Sequence, residues 1–172
     1  MLNIYLIGFM GSGKTTIAKK ISKSLNLKFL DTDKEIEKKT RSSINDIFNK
    51  KGELFFRQEE KKIVNEIINL ENTVISTGGG LPCFNKNIDI LNKSGCTIYL
   101  KCDKELLYNR LLVDKKNRPL IKSFNHKELK KYINNLLIKR EKIYNKSKYT
   151  IVCNDLKTNE LLRQINSLIF TK

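Results

Sequence analysis

Short, mostly apolar runs alternate along the chain with longer segments in which apolar residues recur every three or four positions. The runs are three to five residues long and rich in β-branched and aromatic residues, which is typical of strands buried in a parallel sheet. The predicted strands lie at 3–7, 28–30, 73–77, 97–100 and 149–152. After the first run, Ile17, Ile21 and Leu25 follow the helical period.

Helices are predicted in the segments between these strands. A stretch of about 35 residues after Asp31 has helical character and breaks near Gly52, where the missing Cβ favours a turn. Thr32 followed by Glu35 has the form of an N-terminal capping box. Further helices are predicted at about 84–93, 103–113, 126–146 and 157–169. The alternation predicts an α/β fold, a three-layer α/β/α sandwich around a central five-stranded parallel sheet.

The size and composition of the chain indicate one compact domain over residues 1–172. No stretch approaches the roughly 20 apolar residues that span a bilayer, so no membrane span is expected. The apolar N-terminus has neither a basic leader nor a small-residue cleavage site and runs straight into a glycine loop, which favours a first strand over a signal peptide. The four cysteines form no C-x-x-C pair, so we expect reduced thiols and a cytoplasmic protein, with neither a zinc site nor a disulfide framework.

A net charge of +16 raises the possibility of an anionic partner such as nucleic acid or a phosphorylated metabolite. The lysines, however, are spread over almost every segment without interleaved aromatic residues, and Asn and Ile are also abundant. Compositional bias therefore explains the charge at least as well as a nucleic-acid surface, and we expect no nucleic-acid partner.

The segment 8–15 satisfies G-x-x-x-x-G-K-[ST] and lies between a predicted strand and a predicted helix, as a phosphate-binding loop requires. Glycines let backbone N–H groups turn toward phosphate oxygens, and the helix N-terminus adds partial positive charge. Lys14 would reach the β and γ phosphates, and the Thr15 hydroxyl would ligate Mg²⁺. The alternative, a glycine turn that only caps a helix, is less favoured, so the pattern predicts a nucleotide cradle over residues 8–16.

Asp31 and Asp33 follow the second predicted strand, at the sheet edge where ligands bind in parallel sheets. One carboxylate can hold a metal-bound water while the other orients an acceptor hydroxyl and takes its proton. Taken alone, Asp33 is explained better as a residue that favours a helix N-terminus. The glycines at 78–80 end a buried strand, where they form either a flexible turn or a site that a ligand approaches closely.

Arginine is informative because only six of the 34 basic residues are arginines. Arg57 is followed one helical turn later by Glu60, which is suited to hold its guanidinium toward a carboxylate ligand. Arg118 precedes Pro119 in a basic loop over residues 113–125, suited to fold over phosphates as a mobile lid. Arg140 lies late on a predicted helix near Tyr144. Each arginine, taken singly, is explained better as a solvated surface charge.

Together these segments resemble the shikimate kinase family in order and spacing over nearly the whole chain. The matching motifs are G-F-M-G-S-G-K-T-T at 8–16, D-T-D at 31–33, F-R-Q-E-E at 56–60, G-G-G at 78–80, R-P-L at 118–120 and K-R-E-K-I-Y at 139–144. The resemblance implies phosphorylation of the 3-hydroxyl of shikimate by ATP with Mg²⁺, on the route to chorismate and aromatic amino acids. It also implies a monomer whose partners are these two small molecules.

The resemblance also implies roles for individual residues. The acceptor side would comprise the helical region at about 32–62 and residues beyond it. Asp33 would hold the shikimate hydroxyls and act as the base. Arg57 and Arg140 would bind the carboxylate, and Gly79 would donate its N–H. On the donor side, Arg118 from the lid would meet the ATP phosphates, and Asp31 would lie in the outer shell of the metal that Thr15 ligates. The remaining nucleotide-binding positions are Gly11, Ser12, Gly13, Lys14, Thr15 and Thr16.

The sequence departs from the family pattern in the lid, where Lys115 and Lys116 stand in place of arginines that some members carry. Arg110, just upstream of the lid, is a candidate to compensate for these missing arginines. Two alternatives remain open. One is a kinase for a related acceptor such as gluconate or a nucleoside monophosphate, because the loop and lid are shared. The other is a basic, nucleotide-dependent protein that binds nucleic acid, because of the charge.

Overall fold

The computed structural model describes residues 3–115, 119–154 and 158–170. Five strands form one parallel sheet in the order β2-β3-β1-β4-β5. Their bounds are β1 Asn3–Ile7, β2 Lys28–Asp31, β3 Thr73–Ser76, β4 Gly95–Lys101 and β5 Tyr149–Val152. The predicted α/β fold and its five-stranded parallel sheet are therefore confirmed, and β4 is longer at both ends than the sequence pattern indicated.

Seven α-helices lie in the described part of the chain and cover the sheet on both faces. They are α1 Lys14–Ser24, α2 Thr32–Thr40, α3 Ile44–Ile67, α4 Asn87–Ser94, α5 Lys104–Val113, α6 His126–Tyr144 and α7 Thr158–Phe170. Short 3₁₀ turns span Leu81–Cys83 and Pro119–Ile121. Helix α4 begins later than predicted because Asn85 and Lys86 have φ values of 51° and 55°, which are not helical. None of the described helices is long and apolar enough to cross a bilayer.

Strand β1 separates two apolar cores because successive side chains of a strand point to opposite faces. Ile4 and Leu6 pack into a core that α1, α5, α6 and α7 cover. Tyr5 packs into a second core formed chiefly with α2 and α3. All five residues of β1 are buried, which is why the strand reads as a continuous apolar run and not as an alternating one. Each core lies between the sheet and the helices on one of its faces, which gives the three layers of the sandwich.

The predicted capping box at the start of α2 is wrong. Asp31 is the N-cap residue, and its carboxylate accepts hydrogen bonds from the amides of Asp33 (3.1 Å) and Lys34 (3.3 Å). Asp31 still has extended backbone geometry, so its side chain reaches the first turn, whereas Thr32 is already helical. The Thr32 hydroxyl instead accepts a hydrogen bond from the N–H of Gly78.

The predicted break near Gly52 is confirmed, since this glycine has φ 78° and ψ 173° inside α3. The long helical stretch also breaks a second time, between α2 and α3, where Arg41 has φ 50°. Ser43 then caps α3 by accepting a hydrogen bond from the Asp46 amide (3.1 Å). The sequence pattern gave no expectation for this second break, although serine three residues before aspartate is a helix-start signal.

Candidate active site

The loop between β1 and α1 folds as a phosphate cradle. Gly11 and Gly13 have φ values of 81° and 92°, a conformation that residues with a Cβ rarely adopt. No described side chain caps α1 at Gly13, so the first amides of the helix point toward a potential anion. The Lys14 ammonium donates hydrogen bonds to the carbonyls of Gly8 (2.9 Å) and Phe9 (2.8 Å), which places it inside the loop. The loop therefore presents amides and one ammonium to the same small volume.

Three oxygen-bearing side chains meet at the ends of α1, β2 and β3. The Thr15 hydroxyl donates to Asp31 Oδ2 at 2.8 Å and lies 3.1 Å from the Ser76 hydroxyl. Asp31 and Ser76 are register partners on adjacent parallel strands, which explains why they meet. Carboxylate and hydroxyl oxygens are suitable ligands for a hard divalent cation, so this cluster fits one. Ser76 carried no sequence signal beyond its place at a strand end.

A cavity of about 350 Å³ opens between the phosphate loop and the ends of the central strands. Its lining contains the predicted nucleotide, metal and acceptor residues Gly11, Gly13, Lys14, Thr15, Thr16, Asp31, Asp33 and Gly79. Ser12 is buried, and its hydroxyl has no hydrogen-bond partner among the described residues. The lining does not include Arg57 or Arg140, which reach the acceptor side from behind the glycines at 78–80.

Asp33 lies in the first turn of α2 and faces the cavity. Burial first and the Asp31 carboxylate second raise the pKa of its carboxyl from 3.8 to about 6, and the Lys14 ammonium opposes the shift. A carboxylate whose pKa lies near neutrality is matched to accept a proton from a hydroxyl group. Asp33 therefore has the position and the basicity of a general base.

Arg57 is held in one orientation by its own helix and by two aromatic rings. Its Nη1 donates to Glu60 Oε2 (2.5 Å), and its Nη2 and Nε donate to Glu53 Oε1 (2.9 and 3.1 Å). The guanidinium also lies 3.8 Å from the ring centroid of Phe84. Burial raises the pKa of Glu60 to about 7, and Arg57 opposes that shift. The predicted pairing of Arg57 with Glu60 is confirmed.

The glycines at 78–80, here called the triglycine turn, contact three charged side chains, one each. A methyl group added at Gly78 would overlap the Asp33 carboxylate. One added at Gly79 would lie 3.5 Å from Arg140 Nη1, and one at Gly80 would lie 2.6 Å from Arg57 Nη1. None of the three glycines has a positive φ, so at Gly78 and Gly80 the neighbouring Asp33 and Arg57 side chains, and not the backbone conformation, leave little room for a Cβ. The turn brings one carboxylate and two guanidinium groups from α2, α3 and α6 to one place.

Comparison with known proteins agrees with this arrangement. A sequence model described as Shikimate kinase matches residues 10–169. The chain belongs to the shikimate kinase family. It is 46% identical over 166 residues to a shikimate kinase of Azobacteroides pseudotrichonymphae, covering 96% of this chain and 98% of the relative.

Solved structures of shikimate kinases also match the fold. That of Bacteroides thetaiotaomicron superposes with a TM-score of 0.92 at 32% identity, covering 98% of both chains. That of Acinetobacter baumannii, solved in complex with shikimate, has a TM-score of 0.91 at 37% identity and covers 99% of this chain and 94% of its own. The likeness extends over nearly the whole chain.

Two arginines of this shikimate kinase family member differ from the other predicted site residues in what the structure says of them. Arg118 lies outside the described residues, so its position beside the donor phosphates stays a prediction. Arg110 is more prominent than the sequence indicated: it lines the cavity, and its Nη1 donates to the Gly11 carbonyl at 3.1 Å. An arginine in a lysine-rich chain was the available signal, but only the packing of α5 against the phosphate loop reveals its partner.

Proposed function

We propose that this protein transfers the γ-phosphoryl group of ATP to the 3-hydroxyl of shikimate, producing shikimate 3-phosphate and ADP in the biosynthesis of chorismate and aromatic amino acids. The observation that carries the proposal is the convergence of Asp33, Arg57 and Arg140 on the triglycine turn beside a phosphate loop. An acceptor that carries a carboxylate and hydroxyl groups needs guanidinium groups at its carboxylate end and a base at its hydroxyl end. This site offers both.

On the donor side, the backbone amides from Gly11 to Thr16 and the Lys14 ammonium bind the phosphates. Phosphate oxygens would take over the ammonium hydrogen bonds that the Gly8 and Phe9 carbonyls accept in this structure. Arg118, carried by the proposed lid at about 113–125, places a second cationic side chain beside the γ-phosphoryl group that is transferred. Together these donors stabilise the negative charge that spreads over the phosphoryl oxygens in the transition state.

The cation that accompanies ATP is proposed to be Mg²⁺, held by Thr15 with Asp31 in its outer shell. The hydroxyl and carboxylate oxygens within 2.8 Å of each other are the donor set that this ion prefers. When bound, it neutralises charge on the β and γ phosphates. Asp31 contributes in addition by orienting the Thr15 hydroxyl.

On the acceptor side, Arg57 and Arg140 pair with the carboxylate of shikimate, and the Gly79 N–H adds a further donor. Asp33 binds the hydroxyl groups. The hydroxyl oxygen attacks the γ-phosphorus, the bond from that phosphorus to the β–γ bridging oxygen breaks, and ADP leaves with the bond's electron pair. The hydroxyl proton passes to an Asp33 carboxylate oxygen.

The setting of this reaction is proposed to be the cytoplasm, with the protein acting as a monomer in one domain and without nucleic-acid or membrane partners. The support is the even spread of lysines along the chain and the resemblance to the family. Salt-sensitive binding of DNA or RNA at physiological ionic strength would contradict this part of the proposal.

The experiment that tests the proposal is an acceptor screen coupled to ADP release. Shikimate, gluconate and nucleoside monophosphates are supplied in turn with MgATP, and Lys14→Met serves as the background control. We expect strong turnover with shikimate and background rates with the others. Turnover with gluconate or a nucleotide and none with shikimate would overturn the assignment of the acceptor while leaving ATP as the donor.

A further inference from the structure

Two buried hydroxyl groups hold the triglycine turn from opposite sides. Thr32 Oγ1 accepts a hydrogen bond from the Gly78 N–H at 2.8 Å. Tyr144 Oη donates one to the Gly79 carbonyl at 2.6 Å. Both residues are 0% exposed, so water cannot substitute for either bond. The turn is therefore bonded to α2 through an acceptor and to α6 through a donor.

These two hydroxyls belong to the elements that carry acceptor-side charges. Thr32 immediately precedes Asp33, whose carboxylate lies against Gly78. Tyr144 follows Arg140 by one helical turn, so the two share a face of α6. The Arg140 guanidinium interacts with the Tyr144 hydroxyl and also lies next to Gly79. Each bond to the turn thus fixes the place of one charged neighbour.

The direction of the two bonds is determined by the chemistry of the groups. A backbone N–H only donates, so Thr32 must accept at Gly78, and a carbonyl only accepts, so Tyr144 must donate at Gly79. Burial raises the pKa of the Tyr144 phenol, which keeps its proton in place for that bond. A valine in place of Thr32 would fill the same space and leave the Gly78 N–H without this partner. A phenylalanine in place of Tyr144 would do the same to the Gly79 carbonyl.

We propose that Thr32 and Tyr144 are positioning residues that set the distance between Asp33 and Arg140 through the triglycine turn, and thereby tune the site to an acceptor with a carboxylate at one end and hydroxyls at the other. The inference rests on the proposed function. Each of the two hydroxyls bonds to the triglycine turn and not to the phosphate loop, so we expect their effect chiefly on the acceptor side. A purely structural role would instead lower stability without separating the two substrates.

The first test replaces Tyr144 by phenylalanine and uses Tyr99→Phe as the matched control. Tyr99 is also buried, and its ring centroid lies 5.2 Å from that of Tyr144, but none of the described hydrogen bonds joins it to the turn. We expect Tyr144→Phe to raise KM for shikimate about tenfold with KM for ATP within about twofold of wild type. Tyr99→Phe should leave both constants within about twofold. Thermal midpoints measured for both variants separate binding from folding.

The second test compares Thr32→Val with Thr32→Ser. Valine keeps the shape and removes the acceptor, whereas serine keeps the acceptor. We expect Thr32→Val to lower kcat about tenfold and to leave KM for ATP within about twofold of wild type, because Asp33 is displaced. Thr32→Ser should restore kcat to within about threefold of wild type.

The outcomes separate this inference from the proposed function. Absence of shikimate turnover by the wild-type protein overturns the proposed function. If the wild type is active, equal changes in KM for shikimate and ATP in Tyr144→Phe, or equal effects of Tyr144→Phe and Tyr99→Phe, overturn the positioning role of Tyr144. A Thr32→Ser variant as impaired as Thr32→Val overturns that of Thr32.

Discussion

At the scale of single residues, Asp33 shows how burial tunes a side chain for chemistry at the expense of stability. Its pKa is raised from 3.8 to about 6 by burial first and by Asp31 second. At neutral pH the carboxyl is still mostly ionised and can accept a proton, whereas below about pH 6 it is increasingly protonated and cannot.

Asp33→Asn removes the proposed base while it preserves the shape of the side chain. We expect kcat to fall by about 10² to 10⁴, because this is the usual contribution of a positioned general base. In the wild type, kcat/KM for shikimate should fall about tenfold per pH unit below the pKa of about 6. Steady-state rates across pH check both statements, and near-normal turnover by Asp33→Asn would remove the assigned role.

The same substitution should stabilise the fold at neutral pH. Because the folded pKa lies above the unfolded value of 3.8, the folded state binds more protons between these values, and stability falls as pH rises toward about 6. We expect Asp33→Asn to gain about 1 to 2 kcal/mol in the free energy of unfolding at pH 7.5 and little below pH 4. Urea titrations at the two pH values measure the difference.

In the proposed reaction Arg140 acts on the acceptor side and Arg110 on the donor side, which permits a paired experiment. Arg140→Lys keeps the charge but loses the planar fork, so we expect KM for shikimate to rise about tenfold and KM for ATP to change little. Arg110→Lys loses the bond to the Gly11 carbonyl beside the phosphate loop, so it should raise chiefly KM for ATP. Equal effects of either variant on both substrates would contradict the division into two sides.

At the scale of elements, Asp31 connects the start of α2 with the proposed cation site. One carboxylate oxygen caps the helix, and the other accepts the hydrogen bond of Thr15. Asparagine is as good a cap as aspartate but carries no charge. The two functions of this residue can therefore be separated by substitution.

We expect Asp31→Asn to retain the thermal midpoint within about 2 °C and to raise the Mg²⁺ concentration required for half-maximal rate. Asp31→Ala should lose the cap as well and cost about 1 kcal/mol in the free energy of unfolding. Thermal melts and Mg²⁺ titrations of both variants check this. A loss of stability as large in Asp31→Asn as in Asp31→Ala would contradict the separation.

Most elements could be predicted from the chain because their signals are local. The five strands and the break at Gly52 follow from apolar runs and from a residue without a Cβ. The start of α2 was mispredicted because two adjacent residues, Asp31 and Thr32, are both good caps. The choice between them depended on Gly78, which lies far along the chain and occupies the Thr32 hydroxyl.

At the scale of the whole molecule, one buried amide links the sheet to the end of α3. Asn3 Nδ2 donates to the carbonyls of Ile67 (3.2 Å) and Leu70 (2.6 Å), and its Oδ1 accepts from the Thr73 amide (3.2 Å). These bonds hold the short connection between α3 and β3, residues 68–72, against the first strand. A polar residue at the first position of a buried strand thereby satisfies three backbone groups.

Asn3→Ala should cost about 2 to 3 kcal/mol in the free energy of unfolding, because it removes three hydrogen bonds at once. The Ile67 carbonyl keeps the Tyr5 hydroxyl and the Leu70 amide as donors, so most of the cost comes from the bonds to the Leu70 carbonyl and the Thr73 amide. Asn69→Ala is the control, since Asn69 makes an exposed bond within its own helix end and should change stability by less than about 0.5 kcal/mol. Urea unfolding measures both. A normal kcat for Asn3→Ala well below its melting temperature would show that the effect is on the fold alone.

The donor half of the site was determined by the sequence itself, because the phosphate loop is one continuous segment whose glycines, lysine and threonine act on their immediate neighbours. The acceptor half was decided by tertiary structure. Asp33, Arg57 and Arg140 are ordinary charges along the chain, and only packing against the triglycine turn places them together. The partners of Thr32, Arg110 and Tyr144 escaped prediction for the same reason: each side chain bonds to a backbone group distant in sequence, and a local pattern carries no information about such a partner.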